Sequence, residues 1–350
     1  MGQERRRTAK VRRHWTAEAC IGKLGVKRVH ARTRLTPGRL YRHESATLTQ
    51  KPAPESTRQS VSNEAQSGYP FDHAVINVRD ALDDAVNTFS GLGFCITPRG
   101  FHTLGSINHL MIFGTTYIEL IGFPANSPSV RAELSAAKIG LNGLVFRSTD
   151  AQASGEAARA RGAPVGQAQQ FSRPVDLRAD ASAALRSGTG SDAGNWPDAI
   201  FRTARAEPGF GPGGRLYFCE HLTPELVWRD DWRTHPNSAV ELSRVFVETD
   251  DLQRTERQFA QLLGERAVHR AAGTVTINAA PVVVEVRQGE RELMRGVRIK
   301  VKSLAQTRDC LSRLGVAFSE QPASTLASGQ AVLTVSATQA GAVEFEFAET

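Results

Sequence analysis

Two histidines and one glutamate stand among apolar residues in one short segment of the chain. Residues 99–122 read RGFHTLGSINHLMIFGTTYIELIG and contain His102, His109 and Glu119. An unpaired carboxylate is costly to bury, so Glu119 within YIELI requires a partner. Imidazole and carboxylate groups together are the ligands of zinc, iron, manganese or nickel. Two simpler interpretations stay open, because a single Glu can pair with Arg or Lys and a single His can be a hydrogen-bonded core residue.

The elements that must position these residues repeat along the chain. A β-rich first strand, an amphipathic helix and three further short strands occur four times, which predicts four βαβββ modules at 71–124, 142–235, 240–290 and 294–350. Three strands for each helix predict an α+β fold with mixed, mostly antiparallel sheets and helices on one face. Two paired modules can then enclose a concave groove on the other face.

Alternation along the strands predicts which residues face that groove. In the first strand Ala74, Ile76 and Val78 form an apolar set that suits the helix side. The opposite set contains His73 and Asn77, and the fourth strand contributes Tyr117 and Glu119 in the same way. His102 and Asn108 fall on the loop before the third strand. The face of His109 depends on a strand register that the sequence does not give.

These residues resemble the vicinal oxygen chelate superfamily. The first strand FDHAVINV, the fourth strand YIELI and the intervening PRGFHTLGSINHLMIFG are similar to its glyoxalase-like domain branch. The resemblance is strongest over 71–124, looser over 142–236, and rests on the repeat pattern alone in the last two modules. It implies two glyoxalase-like half-barrels, with domains at 69–237 and 238–350.

The resemblance also implies a metal held by the first and fourth strands of two paired modules. It assigns the ligands of the first module to His73 and Glu119. The first strand of the second module lacks a histidine, since Asn142 and Gly143 stand there, and its fourth strand offers Glu220 or His221. The parity of that strand decides between these two.

The resemblance predicts a metal-dependent lyase or isomerase that acts on a small oxygenated metabolite in the groove. Glu119 is the predicted catalytic residue, and the metal is Zn, Fe, Mn or Ni. We found no nucleotide-cofactor motif. The alternative is a metal-free small-molecule binding or resistance-type protein on the same fold. The predicted substrate-binding residues are Asn77, His102, Asn108, His109, Tyr117 and Trp228.

Charge and composition limit which partners and which location the protein can have. Residues 1–68 contain 15 basic and 5 acidic side chains, so the remainder of this +7 chain is mildly acidic, which argues against a nucleic-acid partner for the folded body. We predict that residues 1–68 are a disordered basic leader, with a transit peptide or a nucleic-acid arm as alternatives. The scattered cysteines fit a reducing, cytoplasmic location, and no apolar run reaches the roughly 18 residues of a membrane span. Exposed sheet edges make a homodimer plausible.

Overall fold

The computed structural model describes residues 68–125, 132–177, 196–325 and 329–350. The predicted leader therefore lies outside the described residues, apart from Gly68. No helix among the described residues is long and apolar enough to cross a membrane.

The first sheet contains eight strands from two successive modules, in the order β2-β3-β4-β1-β5-β8-β7-β6. Strands β1 and β4 are parallel, and β5 and β8 repeat that arrangement, whereas β1 and β5 pair antiparallel at the centre. The edge strands approach each other as well, because Thr103 N donates to Ser172 O across 2.9 Å, so the sheet curls into a barrel. The strands are β1 (Phe71–Arg79), β2 (Gly100–Phe101), β3 (Ile107–Ile112), β4 (Tyr117–Gly122), β5 (Gly140–Arg147), β6 (Gln169–Pro174), β7 (Asp198–Arg205) and β8 (Arg215–His221).

The second sheet repeats this topology with eight further strands, in the order β10-β11-β12-β9-β13-β16-β15-β14. Its central pair, β9 and β13, is again antiparallel, and each of the two is parallel to the last strand of its own module. The strands are β9 (Ala239–Thr249), β10 (Val268–Ala271), β11 (Thr274–Ala279), β12 (Val282–Gln288), β13 (Leu293–Val301), β14 (Ser319–Gln321), β15 (Val332–Val335) and β16 (Glu344–Glu349).

The longer helices begin where the sequence supplies a capping residue or a sharp turn. Asp150, Asp251 and Ser303 each accept a hydrogen bond from a backbone N–H in the first turn of the helix that follows. The helices are α1 (Leu82–Gly91), α2 (Ala132–Ala136), α3 (Ala151–Ala160), α4 (Leu252–Leu263) and α5 (Leu304–Arg313), and short 3-10 turns lie at Pro224–Leu226, Asp230–Trp232, Glu265–Ala267 and Ala323–Thr325.

One apolar core joins the helix-covered faces of both sheets. The Phe89 ring on α1 lies 5.6 Å from the Phe345 ring on β16, and both side chains are fully buried. A smaller apolar cluster fills part of the interior of the first barrel and includes Val75, Leu110 and Tyr217. The α+β prediction, with mixed and mostly antiparallel sheets, is thus confirmed. The division into domains at 237/238 stays a prediction.

Candidate functional site

A β-bulge in β1 turns two neighbouring polar side chains to the same side. Phe71 pairs with Phe146 and His73 pairs with Val145 on β5, so the register shifts at Asp72. Phe71 packs in the helix-side core, whereas Asp72 and His73 both make contacts in the barrel interior. A bulge re-aims side chains in this way because two residues on one strand oppose one on its partner.

The Asp72 carboxylate is fully buried and holds three cationic or potentially cationic groups. Its Oδ2 lies 2.7 Å from His73 Nδ1 and 2.8 Å from His221 Nε2, and Arg147 Nε donates to Oδ1 across 2.8 Å. Burial acts to raise the pKa of Asp72, but the charge and hydrogen bond of His221, followed by those of His73, hold this pKa well below its usual range. The ionised carboxylate only accepts hydrogen bonds, so both imidazole nitrogens must donate.

Because His73 Nδ1 donates to Asp72, its Nε2 is the nitrogen that faces the cavity. Nε2 lies 3.8 Å from Glu119 Oε2, which is longer than a hydrogen bond. The His73 ring also stacks on Tyr117, with 4.2 Å between ring centroids, so its plane is fixed. An ion between the two atoms could bind both, because Zn–N and Zn–O bonds are each about 2.0–2.2 Å long. A carboxylate that orients a ligand histidine is the usual support for such a site.

The carboxylate of Glu119 is buried, but neighbouring polar groups stabilise its charge. Asn108 Nδ2 donates to Glu119 Oε1 across 2.8 Å, and His102 Nε2 lies 4.0 Å from the same oxygen. Burial acts to raise the pKa of Glu119, but His102, His73 and the Asn108 hydrogen bond outweigh burial and lower it. Glu119 is therefore ionised at neutral pH, as a metal ligand or a general base requires.

These groups surround a cavity of about 30 Å³ inside the first barrel. Burial raises the pKa of Tyr117 and of Tyr217 far enough that both phenols stay protonated and can donate hydrogen bonds. Basic and polar side chains line the cavity together with apolar ones such as Leu110. The residues that line the cavity are His73, His102, Asn108, Leu110, Tyr117, Glu119, Ile121, Phe171, Arg173, Phe201, Thr203, Arg205, Arg215, Tyr217 and Cys219.

A second group of metal-ligating atoms lies beside this cavity. Asp72, Cys219 and His221 bring one ligand atom each to within 4.8 Å of the others. Their atoms are already engaged, however, because Asp72 Oδ2 accepts from His221 and Cys219 Sγ lies 3.7 Å from His221 Nε2. Burial raises the pKa of the Cys219 thiol well above its usual value, so an ion bound there would have to displace the thiol proton. His73 Nε2 and Glu119 Oε2 instead face each other without a direct hydrogen bond between them.

The second module has different residues at the positions that correspond to His73 and Glu119. Along the parallel strands His73 lies opposite Tyr117, and in the second module Val145 lies opposite Tyr217 in the same way. Cys219 follows Tyr217 by two residues, as Glu119 follows Tyr117. The prediction that Asn142 and Gly143 occupy the histidine position is thus wrong, because Val145 occupies it, two residues after Gly143, and the sequence did not give the strand register.

Two residues predicted as ligands are separated by the parity of β8. His221 lies on the interior side, where it binds Asp72 rather than lining the cavity. Glu220 lies on the opposite face, where it accepts from Ala151 N at the start of α3 and from Arg202 Nη1. Glu220 is therefore a helix-capping and ion-pairing residue, and the prediction that it could bind the metal is not supported.

The predicted substrate-binding residues divide in a similar way. His102, Asn108 and Tyr117 line the cavity. Asn77 instead holds helix α2 against β1, because its Nδ2 donates to Leu134 O across 2.9 Å. Trp228 does not line the cavity but packs on His221, with 4.6 Å between ring centroids.

His109 lies on the helix side of the sheet, away from the cavity. Its Nδ1 is 2.7 Å from Thr97 O, and burial, assisted by the nearby charge of Arg99, lowers the pKa of His109 to about 4. The prediction that His109 binds substrate is thus corrected. An alternation argument alone could not assign the face of this strand.

The lowered pKa of His109 predicts a loss of stability in acid. The unfolded state, with a histidine pKa of about 6.5, takes up the proton first, so the stabilisation is complete above that pH and is lost as pH falls towards 4. In His109→Asn the amide can still donate to Thr97 O but does not titrate. Between pH 7 and pH 4 the free energy of unfolding of the wild type should fall by about 2–3 kcal/mol more than that of the variant. Urea titrations at both pH values measure this difference, and equal pH dependence would contradict the assignment.

The barrel of paired βαβββ modules, with a histidine and a glutamate on the first and fourth strands, defines a protein of the vicinal oxygen chelate superfamily. A family model described as "Glyoxalase-like domain" matches residues 71–263, more than half of the chain. The chain therefore belongs to the glyoxalase-like domain family. No curated protein matches it.

Solved structures share the fold at low sequence identity. A hypothetical protein from Staphylococcus aureus has a TM-score of 0.52 and 12% identity, covering 80% of this chain and 99% of its own. A triple mutant of 4-hydroxymandelate synthase from Streptomyces coelicolor has a TM-score of 0.50 and 14% identity, over 81% and 92%. A xylose isomerase-like TIM barrel/4-hydroxyphenylpyruvate dioxygenase fusion protein has a TM-score of 0.52 and 13% identity, over 84% and 53%. These similarities concern the fold alone.

Proposed function

We propose that the protein is a metal-dependent lyase or isomerase that acts on a small oxygenated metabolite inside the first barrel. The observation that carries the proposal is the gap of 3.8 Å between His73 Nε2 and Glu119 Oε2, with Asp72 holding the other nitrogen of the imidazole. These two atoms would hold a divalent ion of Zn, Fe, Mn or Ni. When bound, the metal would act as a Lewis acid on a substrate oxygen and lower the pKa of an adjacent C–H bond.

The side chains around the cavity have consistent roles in such a reaction. Glu119 is ionised and can accept the substrate proton, with Oε1 as the oxygen nearer to Asn108 and His102. His102 Nε2 lies 4.0 Å from that oxygen, beyond hydrogen-bond distance, so it would stabilise the ionised carboxylate through its charge. Tyr117 and Tyr217 stay protonated and can donate to substrate oxygens. His73, Tyr117 and Glu119 are all buried, and burial strengthens each of these interactions.

The alternative is a metal-free small-molecule binding protein that uses the same cavity. It is favoured by the second module, where Val145 and Cys219 stand at the positions that correspond to His73 and Glu119. In that case His73 and Glu119 would be linked only by hydrogen bonds through water or the bound small molecule. Elemental analysis separates the two functions, because the enzyme requires about one bound metal ion per chain and the binding protein requires none.

Glu119→Gln should abolish proton transfer to and from the substrate. The test is deuterium incorporation from D₂O, followed by NMR, into a panel of small α-hydroxy ketones and 2-oxo acids with metal-loaded protein. We expect the rate to fall by about 100-fold or more, since general acid–base catalysis contributes about 10²–10⁴-fold. Glu220→Gln is the matched control, because Glu220 lies on the opposite face and should leave the rate unchanged. Equal rates in Glu119→Gln and the wild type would contradict the assigned base.

A further inference from the structure

Arg173 on β6 is a buried cation with two unused hydrogen-bond-donating atoms. The residue is only 3% exposed, and its Nε and Nη2 atoms have no hydrogen-bond partner within the part of the chain that the structure describes. Burial lowers the pKa of the guanidinium, but arginine does not lose its proton in proteins. Burying such a group without a partner is costly, and native structures usually satisfy buried donors. The two unused donors are therefore available to a ligand in the cavity.

The charges around the cavity do not balance without an added anion. Arg173, Arg205 and Arg215 all line it, whereas Glu119 is the only carboxylate among its described lining residues. Arg205 has a partner outside the cavity, because its Nη1 lies 3.7 Å from Glu133 Oε1. Among the described residues no carboxylate oxygen lies within ion-pair distance of Arg173 or Arg215, so two positive charges face the same space.

Arg215 offers a second unused donor to the same cavity. Its Nε donates to Asn142 Oδ1 across 3.0 Å, which fixes the guanidinium, while its buried Nη2 has no partner among the described residues. The arginine fork matches the geometry of a carboxylate, and such charge-assisted bonds are stronger than neutral ones. Arg173 and Arg215 lie on β6 and β8, separated by β7, so the two donors approach the cavity from different strands.

We propose that the substrate carries a carboxylate or a similar anionic oxygen group, which Arg173 binds with the help of Arg215. The proposal rests on the proposed function in that the same cavity holds the reacting part of the substrate next to His73 and Glu119. The cavity is small, so the anionic group lies within a few bonds of the oxygen atoms that react. Small hydroxy acids and oxo acids have this chemistry, whereas neutral aldehydes and ketones of the same size lack it.

The test compares glycolate with its uncharged analogue glycolamide by calorimetric titration of the full chain. The wild type should bind glycolate at least about 10-fold more tightly, because hydrogen bonds to charged groups contribute about 1.5–3 kcal/mol. A metal ion also attracts anions, so the decisive quantity is the change in this ratio. Arg173→Gln should weaken glycolate binding by about 10- to 100-fold and change glycolamide binding little. Metal content should stay the same.

Two further variants serve as a matched control and as a substitute if Arg173→Gln does not fold. Arg202→Gln is the matched control on the neighbouring strand, since Arg202 pairs with Glu220 on the other face and should leave the ratio unchanged. If Arg173→Gln does not fold, Arg173→Lys keeps the charge but loses the fork, and it should retain part of the preference.

The outcomes separate this inference from the proposed function. A preference for glycolate that depends on Arg173 in protein without metal would support the anion site while the proposed metal chemistry fails. Bound metal with no Arg173-dependent preference would overturn the anion site and leave the proposed function intact. Equal weakening of both probes in Arg173→Gln would show a merely structural role and would also overturn the inference.

Discussion

Replacing His73 with alanine is expected to remove the bound divalent metal. His73 supplies the nitrogen that faces Glu119 Oε2 across 3.8 Å, and Glu119 alone leaves the ion with one protein ligand from this pair. Mutation of groups that merely support a metal ligand costs about 10- to 100-fold in affinity, so loss of the ligand itself should cost more than about 100-fold. Elemental analysis after dialysis against a weak chelator measures the metal per chain, and competition titration measures the affinity.

An exposed histidine provides the control for that experiment. His269 on β10 of the second sheet is exposed, so His269→Ala removes an imidazole without touching the barrel. This variant should keep the metal content of the wild type. If His73→Ala retains full metal occupancy while His221→Ala loses it, the ion belongs to the group of Asp72, Cys219 and His221, and our assignment is wrong.

Replacing Asp72 with alanine is expected to destabilise the fold by about 3–5 kcal/mol, the usual effect of removing one partner from a buried ionic network. The carboxylate is fully buried and satisfies His73, His221 and Arg147 at once. Alanine would leave the two buried imidazole donors without an acceptor, whereas the half-buried Arg147 still donates to Thr115 O. Urea denaturation should show a lower midpoint with an unchanged slope. Metal affinity should also fall by about 10- to 100-fold, because Asp72 orients the imidazole of His73.

The size of the Asp72 effect is best judged against an exposed aspartate. Asp231 forms an ion pair with Arg229 across 3.1 Å, but its side chain is 77% exposed. Such surface pairs contribute about 0–1 kcal/mol, so Asp231→Ala should be nearly neutral. A loss of stability in Asp72→Ala that is no larger than in Asp231→Ala would show that the network does not hold the barrel together.

The fold could be predicted because its pattern is local and repeated. Alternation in FDHAVINV and helical periodicity in the following residues define one module, and the same succession returns three times. In the structure Asp150, Asp251 and Ser303 cap three of these helices, a feature that the repeat pattern does not use. What the pattern could not give is the antiparallel pairing of β1 with β5, because strand pairing depends on contacts that are distant in sequence.

The site was harder to predict because a single bulge changes the parity of β1. Strict alternation puts Phe71 with His73 and puts Asp72 on the helix side, and the structure shows the reverse for Phe71 and Asp72. Asp72 was therefore missed, although a charged residue directly before His73 in an apolar strand was a signal. Arg173 was missed for a related reason, since the polar strand QQFSRP reads as solvent-exposed until the barrel is closed.

The position of the metal tests the central claim of this account most directly. Crystals of the full chain grown with Zn²⁺ or Ni²⁺ would be measured at the absorption edge of the metal, and an anomalous difference map would be calculated. We predict one strong peak within about 2.0–2.3 Å of both His73 Nε2 and Glu119 Oε2. A peak among Asp72, Cys219 and His221, or no peak in the barrel, would contradict the assignment of His73 and Glu119 as the metal ligands.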